Sequence, residues 1–302
     1  MQHFVSIQDL TRPELEALID DAARRASKPV RHDTSLAHIC VASLFFENST
    51  RTRVSFELAA KRLGAHHVNV DLALSSRSKG ESEWDTVATL QAMGIDQLVV
   101  RTSTVGLPAM LAEKASRVQI INAGEANVSH PSQALLDLVT LKQRKGRIDD
   151  LSIAIIGDIA HSRVARSFVQ GASKLGCRDI RLVAPRQWQA SREDFAGLSF
   201  TDELAPAIAD ADVVMALRIQ KERLDKDDEM DLDDYRARFS LTTERLKTAR
   251  DALLVMHPGP INRNVELSDA VADGPQSVIE EQVAIGVSAR MAILSALAEH
   301  RA

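Results

Sequence analysis

The sequence predicts an α/β protein of two doubly wound domains, each a parallel sheet covered by helices, joined by linking helices. Three observations carry this expectation. Short apolar runs of strand length alternate with helical patterns, the rhythm of βαβ units. That rhythm opens at residues 38–46 and restarts at residues 151–158. At 302 residues the chain also reaches the length at which a single hydrophobic core stops growing.

Each element has its own signal. Thr11 and Glu14 form a capping-box pair, Pro13 suits a first turn, and Leu15, Leu18 and Ile19 share one face, so a helix starts there. The continuous apolar run 38–46 reads as a buried strand. Residues 68–71, 97–101 and 117–122 read as short strands among the helical segments 52–63, 82–93 and 106–114. Gly64 and Gly94 stand where helix C-terminal glycines belong. A helix opening at His130-Pro131 and ending near Gly146 links the halves. Later strands fall at 151–158, 180–184, 212–217 and 252–256, and Val283, Val287, Met291, Leu294 and Leu297 mark a long closing helix. The expected division is residues 1–130, a linking helix 131–146, a second domain 147–278, and a C-terminal helix 279–302 packing back on the first domain. Residues 221–239 break the rhythm. Their aspartates are interleaved with Lys221, Arg223 and Lys226 and lack the glycine and spacing of a calcium loop, so a solvated loop is expected.

Composition narrows the function. A hydrophobic fraction of 45% with 26% charged residues fits a soluble globular protein. A net charge of −5 gives no basic face for nucleic acid. The run Lys142-Gln143-Arg144-Lys145 sits at a helix end, where cations suit the dipole. Cys40 and Cys177 are the only cysteines and lie far apart, which points to a reducing compartment. No basic-then-apolar leader opens the chain, and no run approaches the roughly 20 apolar residues of a membrane span. A cytoplasmic protein bound to neither membrane nor nucleic acid is expected.

Several segments carry chemistry. Ser49-Thr50-Arg51-Thr52 follows a strand and opens a helix, where unpaired N–H groups favour phosphate. A plain N-cap explains one such hydroxyl, not three in four positions, which tilts the segment toward an anion site. Residues 75–82 are short, polar and cationic, suited to a surface loop or to a loop that folds over an anion. Arg101 ends a strand, at the edge where α/β sheets bind ligands. In His130-Pro131-Ser132-Gln133, His130 serves either as a helix cap or as a donor to a carbonyl, and Gln133 can orient an amide. His66-His67 have no further ligands nearby, and no metal is assigned. The Gly157 turn has one of the three glycines of a dinucleotide fingerprint, so Arg163 reads better as a carboxylate clamp. Arg218-Ile219-Gln220 offers a second clamp, and the prolines of His257-Pro258-Gly259-Pro260 free carbonyls to accept hydrogen bonds.

In chain order these segments resemble the aspartate/ornithine carbamoyltransferase family. The match runs through Phe46-x-Asn48-Ser49-Thr50-Arg51-Thr52-Arg53, Ser75 with Lys79-Gly80-Glu81, Arg101, His130-Pro131-x-Gln133, Arg163, Arg218-x-Gln220 and His257-Pro258-x-Pro260. The late turn lacks the cysteine of the ornithine branch, and two arginines suit a substrate with two carboxylates, so the aspartate branch is the better likeness. Gly259 stands where some of that branch have leucine, at a contact expected from backbone.

The resemblance implies transfer of the carbamoyl group of carbamoyl phosphate to L-aspartate, giving N-carbamoyl-L-aspartate and phosphate in de novo pyrimidine biosynthesis. It implies that the domain 1–130 binds carbamoyl phosphate and 147–278 binds aspartate. Ser49, Thr50, Arg51, Thr52 and Ser75 would hold phosphate, and Thr52, Arg101 and His130 the carbonyl oxygen. Gln133 and the backbone around Pro258, Gly259 and Pro260 would hold the carbamoyl NH2, while Lys79, Arg163, Arg218 and Gln220 would bind aspartate. Catalysis would fall to Arg51, Thr52, Lys79, Arg101 and His130, with no cofactor. The loop of Ser75 and Lys79 would be lent by a neighbouring subunit, implying a homotrimer with shared sites, alone or with regulatory chains or a dihydroorotase. Competing readings are another amino-acid acceptor such as ornithine, a nicotinamide oxidoreductase built on Gly157, and a non-catalytic phosphate binder.

Overall fold

A computed structural model describes residues 1–28, 32–70, 80–190, 194–219 and 231–301. The chain divides into two compact units, Met1–Val139 with Ala284–Ala302, and Thr140–Val283. Both hold wholly parallel sheets, as the βα rhythm predicts.

The first unit begins with α1 (Arg12–Ser27), whose capping box forms as expected: Glu14 N–H donates to Thr11 Oγ1, and Thr11 N–H donates to Glu14 Oε2. There follow β1 (Cys40–Phe45), α2 (Thr50–Arg62), β2 (His66–Val70), α3 (Glu83–Ala92), β3 (Gln97–Thr102), α4 (Leu107–Lys114), β4 (Gln119–Glu125) and the opening turns of α5 (Pro131–Lys145). The strands lie in the order β2-β1-β3-β4. The chain therefore starts in the sheet's interior and winds outward in both directions, and the order reverses between β1 and β3. Ala42, Leu44, Leu98, Val100, Leu107, Leu111 and Ile120 build the core on one face. The last helix of the chain, α11 (Ile279–Arg301), is tied to this sheet by side-chain amides: Gln97 Nε2 donates to Leu294 O at 3.0 Å and Gln119 Nε2 to Leu297 O at 2.7 Å. Two buried glutamines thus satisfy carbonyls that apolar residues would leave to the helix alone. Contrary to the sequence reading, residues 279–300 are long and apolar enough to cross a membrane; 72% of the most apolar stretch is buried, as befits a core helix.

The second unit contains β5 (Ser152–Ile156), α6 (Arg163–Lys174), β6 (Asp179–Val183), β7 (Ser199–Thr201), α7 (Leu204–Ile208), β8 (Val213–Ala216), α8 (Leu232–Phe239), α9 (Thr243–Leu246), β9 (Leu254–Met256) and α10 (Asp269–Ala272). Its order is β7-β6-β5-β8-β9, again doubly wound, with the reversal between β5 and β8. Strand β7 went unforeseen because Ser199-Phe200-Thr201 is too short and polar to stand out. Helix α8 corrects part of the expected solvated loop. Asp231 caps it, and Tyr235 and Phe239, four residues apart, turn inward and stack at 5.5 Å, with Trp188 5.5 Å from Tyr235. One buried aromatic residue per turn is enough to hold an otherwise charged helix. The rest of that charged segment, 221–230, lies outside the described residues.

Candidate active site

In open α/β sheets, ligands bind beyond the carboxyl ends of the strands where the order reverses. Each unit puts its chemistry-bearing residues beyond those carboxyl ends, several of them at the reversal itself.

In the first unit the switch lies between β1 and β3, and the chain leaving β1 opens α2. Ser49 is the N-cap residue, extended at φ −159°, and its side chain makes no capping bond. The first turn of α2, like those of α4, α5 and α6, has no acidic residue, whereas α1 and α3 each carry one or more. A helix start without a carboxylate keeps its N–H groups and partial positive charge for an outside anion. Thr50 and Arg51 are exposed there, and Thr52 is buried. Across the switch point, Arg101 is the next-to-last residue of β3, half-buried. Its Nη1 donates to Ala123 O at 3.2 Å, and its Nε lies 3.4 Å from Glu47 Oε2. Backbone joins the same two segments, since Phe46 N–H donates to Arg101 O at 2.8 Å. Glu47 escaped the sequence reading, although it sits between the two matched residues Phe46 and Asn48.

His130 and Gln133 come from the turn between β4 and α5. That turn is pinned by Glu125, whose N–H donates to Ser129 O at 2.8 Å and whose carboxylate accepts from Gly106 N–H and Asn122 Nδ2. His130 is buried, and its carbonyl accepts from the N–H groups of Gln133 and Ala134, so it begins α5 as the sequence suggests. Gln133 is also buried, its Nε2 donating to Asp137 Oδ1 at 3.0 Å.

The second unit places Arg163 at the first position of α6, just beyond β5, where it is buried. Ser162 caps that helix through Ala165 N–H, and Asp158 accepts from the backbone and ring of His161. Gly157 serves close packing here, not a dinucleotide. A Cβ at that position would meet Leu217 O at 3.2 Å and the buried Tyr235 hydroxyl at 3.3 Å. Burial, with the charges of Glu266 and Asp158, holds the Tyr235 hydroxyl protonated well beyond its usual range.

Arg218, half-buried, follows β8, and the turn His257-Pro258-Gly259-Pro260 follows β9. Both loops converge on Glu266, which is fully buried. Its Oε1 accepts from Ile219 N–H at 2.9 Å and from Asn262 Nδ2 at 2.6 Å, and its Oε2 accepts from Asn262 N–H at 2.8 Å. Asn262 also donates to Ile219 O. Burial raises the Glu266 pKa, opposed by these bonds. Gly259 N–H donates to His257 Nδ1 at 2.8 Å, so that nitrogen is the acceptor and a neutral ring carries its proton on Nε2, 3.8 Å from Glu266 Oε2. Gly259 occupies the left-handed region at φ 63° and precedes a cis peptide to Pro260. Nothing in the sequence marks Glu266 as the hub of this turn.

Ser75, Lys79 and Gln220 lie outside the described residues. The others fall into two groups, each beyond the carboxyl ends of one sheet's strands: Ser49 to Thr52, Arg101, His130 and Gln133 in the first unit, and Arg163, Arg218 and Pro258 to Pro260 in the second.

Comparison with known proteins follows the same division. Residues 2–143 match the aspartate/ornithine carbamoyltransferase carbamoyl-P binding domain, and residues 149–297 match the Asp/Orn binding domain of that family. The chain is 49% identical over 298 residues to an aspartate carbamoyltransferase catalytic subunit of Legionella pneumophila, covering 98% of this chain and 99% of the relative. It is 45% identical to one from Coxiella burnetii, covering 97% and 94%. Among solved structures it is similar to Trypanosoma cruzi aspartate transcarbamoylase in complex with carbamoyl phosphate and aspartate, with TM-score 0.88, 31% identity and coverage of 97% and 95%. It is also similar to ornithine carbamoyltransferase of Thermus thermophilus, with TM-score 0.86, 25% identity and coverage of 98% and 99%.

Proposed function

The chain belongs to the aspartate/ornithine carbamoyltransferase family, and we propose on that premise that it makes N-carbamoyl-L-aspartate and phosphate from carbamoyl phosphate and L-aspartate. It is a carbamoyltransferase, and the reaction is an early step of pyrimidine biosynthesis. The observation that carries this reading is the acid-free start of α2, with Ser49, Thr50, Arg51 and Thr52, across a switch point from Arg101.

The residues then take roles. Ser49, Thr50, Arg51 and Thr52 hold the phosphate, with Ser75 from a neighbouring subunit. Thr52, Arg101 and His130 donate to the carbonyl oxygen, and Gln133 with the backbone of Pro258, Gly259 and Pro260 accepts from the carbamoyl NH2. Arg163, Arg218, Gln220 and the neighbour's Lys79 bind the aspartate carboxylates. The amine nitrogen of aspartate attacks the carbonyl carbon, a C–N bond forms, and negative charge gathers on the carbonyl oxygen. Fixed donors stabilise that oxyanion more than they stabilise the ground state. The bond from carbon to the phosphate oxygen then breaks, and the departing phosphate takes the amine proton. Two bound substrates held in line supply much of the remaining acceleration.

In this reading the unit containing α2 is the carbamoyl phosphate-binding domain and the unit containing Arg163 is the aspartate-binding domain. The enzyme works in the cytoplasm as a homotrimer with shared sites, a form that also suits a larger assembly with regulatory chains or a dihydroorotase. Carbamoyl transfer to L-aspartate and to L-ornithine, assayed side by side, tests the acceptor. Turnover with aspartate is expected; preference for ornithine would overturn the assignment.

A further inference from the structure

Helix α5 carries Gln133 and, one turn later on the same face, Asp137, which is fully buried. Gln133 Nε2 donates to Asp137 Oδ1 at 3.0 Å. An ionised carboxylate has no proton to give, so this bond is open only to the NH2 end of the amide. The amide oxygen of Gln133 is thereby turned away from Asp137.

A buried carboxylate must be compensated by an opposite charge and hydrogen bonds. Helix α11 supplies the charge. Arg290 is buried, its Nη1 donates to Gly286 O at 2.7 Å, and its guanidinium lies 5.1 Å from the centre of the Phe56 ring on α2. Burial lowers its pKa to about 10, with the Asp137 charge acting in the opposite sense. It therefore stays cationic at neutral pH. The bond within α5 holds the amide in one orientation, and the Arg290 cation acts on Asp137 through its charge.

We infer that Asp137 is a positioning residue that selects which end of the Gln133 amide meets the acyl phosphate, and so favours an NH2-bearing substrate over a CH3-bearing one. The inference rests on the reading that Gln133 meets the carbamoyl NH2. Carbamoyl phosphate and acetyl phosphate have nearly the same shape and differ in that one group. An amide oxygen accepts a hydrogen bond from NH2 and gains nothing from CH3. An amide turned the other way sets donor against donor, leaving buried polar groups unpaired.

The test is steady-state kinetics on the full-length enzyme with Asp137→Asn, measuring KM for carbamoyl phosphate and the inhibition constant of acetyl phosphate. The substitution keeps the size but offers both a donor and an acceptor, so the Gln133 amide loses its bias. KM for carbamoyl phosphate should rise about tenfold, the magnitude of one net hydrogen bond, while acetyl phosphate inhibition and KM for aspartate stay unchanged. A merely structural role would move both acyl phosphates together, and that result would overturn the inference. The pair Asp137→Asn/Arg290→Met removes both buried charges at once and so spares the fold an unpaired guanidinium; it should show the same loss of discrimination, and unchanged discrimination would also overturn the inference. Gln133→Ala separates the two levels. If it abolishes discrimination and Asp137→Asn does not, the inference fails while the reading of Gln133 stands. If Gln133→Ala leaves discrimination intact, that reading itself fails and the inference goes with it.

Discussion

The two units hold their candidate ligands by different means. In the first, the residues sit at the starts and ends of regular elements: Ser49 to Thr52 at the head of α2, Arg101 on β3, His130 and Gln133 at the head of α5. In the second, Arg163 begins a helix, but Arg218 and the Pro258 turn lie on loops after β8 and β9. The buried carboxylate of Glu266 ties those loops together by accepting from both. A helix start is positioned by its own backbone, whereas a pair of loops needs a shared polar anchor. The first unit should therefore be sensitive at the ligand residues themselves and the second at the anchor.

The largest expected effect breaks the first unit's site directly. Arg51→Ala should lower kcat by about 10²–10³-fold, the usual loss for one preorganised donor to developing charge. Mixing Arg51→Ala chains with inactive Lys79→Ala chains should restore part of the activity, because a shared site can reassemble with both residues intact. Absence of rescue, with subunit exchange confirmed by native mass, would count against sites shared between subunits.

A smaller effect tests the anchor. Glu266→Gln keeps the shape but replaces one acceptor oxygen with an NH2 group, leaving one of the inward-pointing N–H groups without its partner. The fold should lose about 1–3 kcal/mol by denaturant titration, the cost of one unsatisfied buried group. KM for aspartate should rise more than KM for carbamoyl phosphate. Equal changes in both would show that the loops are not the part Glu266 holds.

The smallest effect is on pH dependence, where the first unit's buried histidines and Glu266 of the second differ in sign. In the first unit burial lowers the pKa of His3, whose Nδ1 accepts from Ile120 N–H, and of His67, which pairs with Ser43. A histidine depressed on folding contributes stability above its unfolded pKa of 6.5, lost as pH falls through the folded value. Glu266 is raised, so its contribution is present below the unfolded 4.5 and lost as pH rises through its folded value. Thermal midpoints measured downward from pH 8 should decline below pH 6.5, and the decline should be shallower in His3→Gln/His67→Gln. An identical slope in the variant would remove the histidines from the account.

Much of this was legible before any coordinates. Thr11 with Glu14 marked a helix start because a capping box is a local device, complete within four residues. Ser49 to Thr52 and His130 were legible for the same reason: the backbone of one helix end decides what they can bind. Helix α8 was hidden because its apolar signal is two aromatic residues within a charged run, and their burial against Trp188 depends on a distant segment. Asp137 stands one helical turn from Gln133, so the spacing alone could have found that pair. Arg290 could not be found that way, since Phe56 and Asp137, the groups it faces beyond its own helix, lie on α2 and α5.

By itself the sequence determined the βα order, the helix starts and the set of ligand-bearing residues, because each follows from contacts within a few residues of chain. Only the tertiary structure decided the strand orders that bring Arg101 beside the head of α2 and Leu217 against Gly157. It also decided which charges fix those groups, the part-buried Glu47 on Arg101, the buried Asp137 behind Gln133, and the buried Glu266 beneath the two loops. The physical reason is range. A capping bond is chosen by local backbone geometry, but a buried ion needs an opposite charge or donors wherever the fold brings them, and sequence distance carries no record of that meeting.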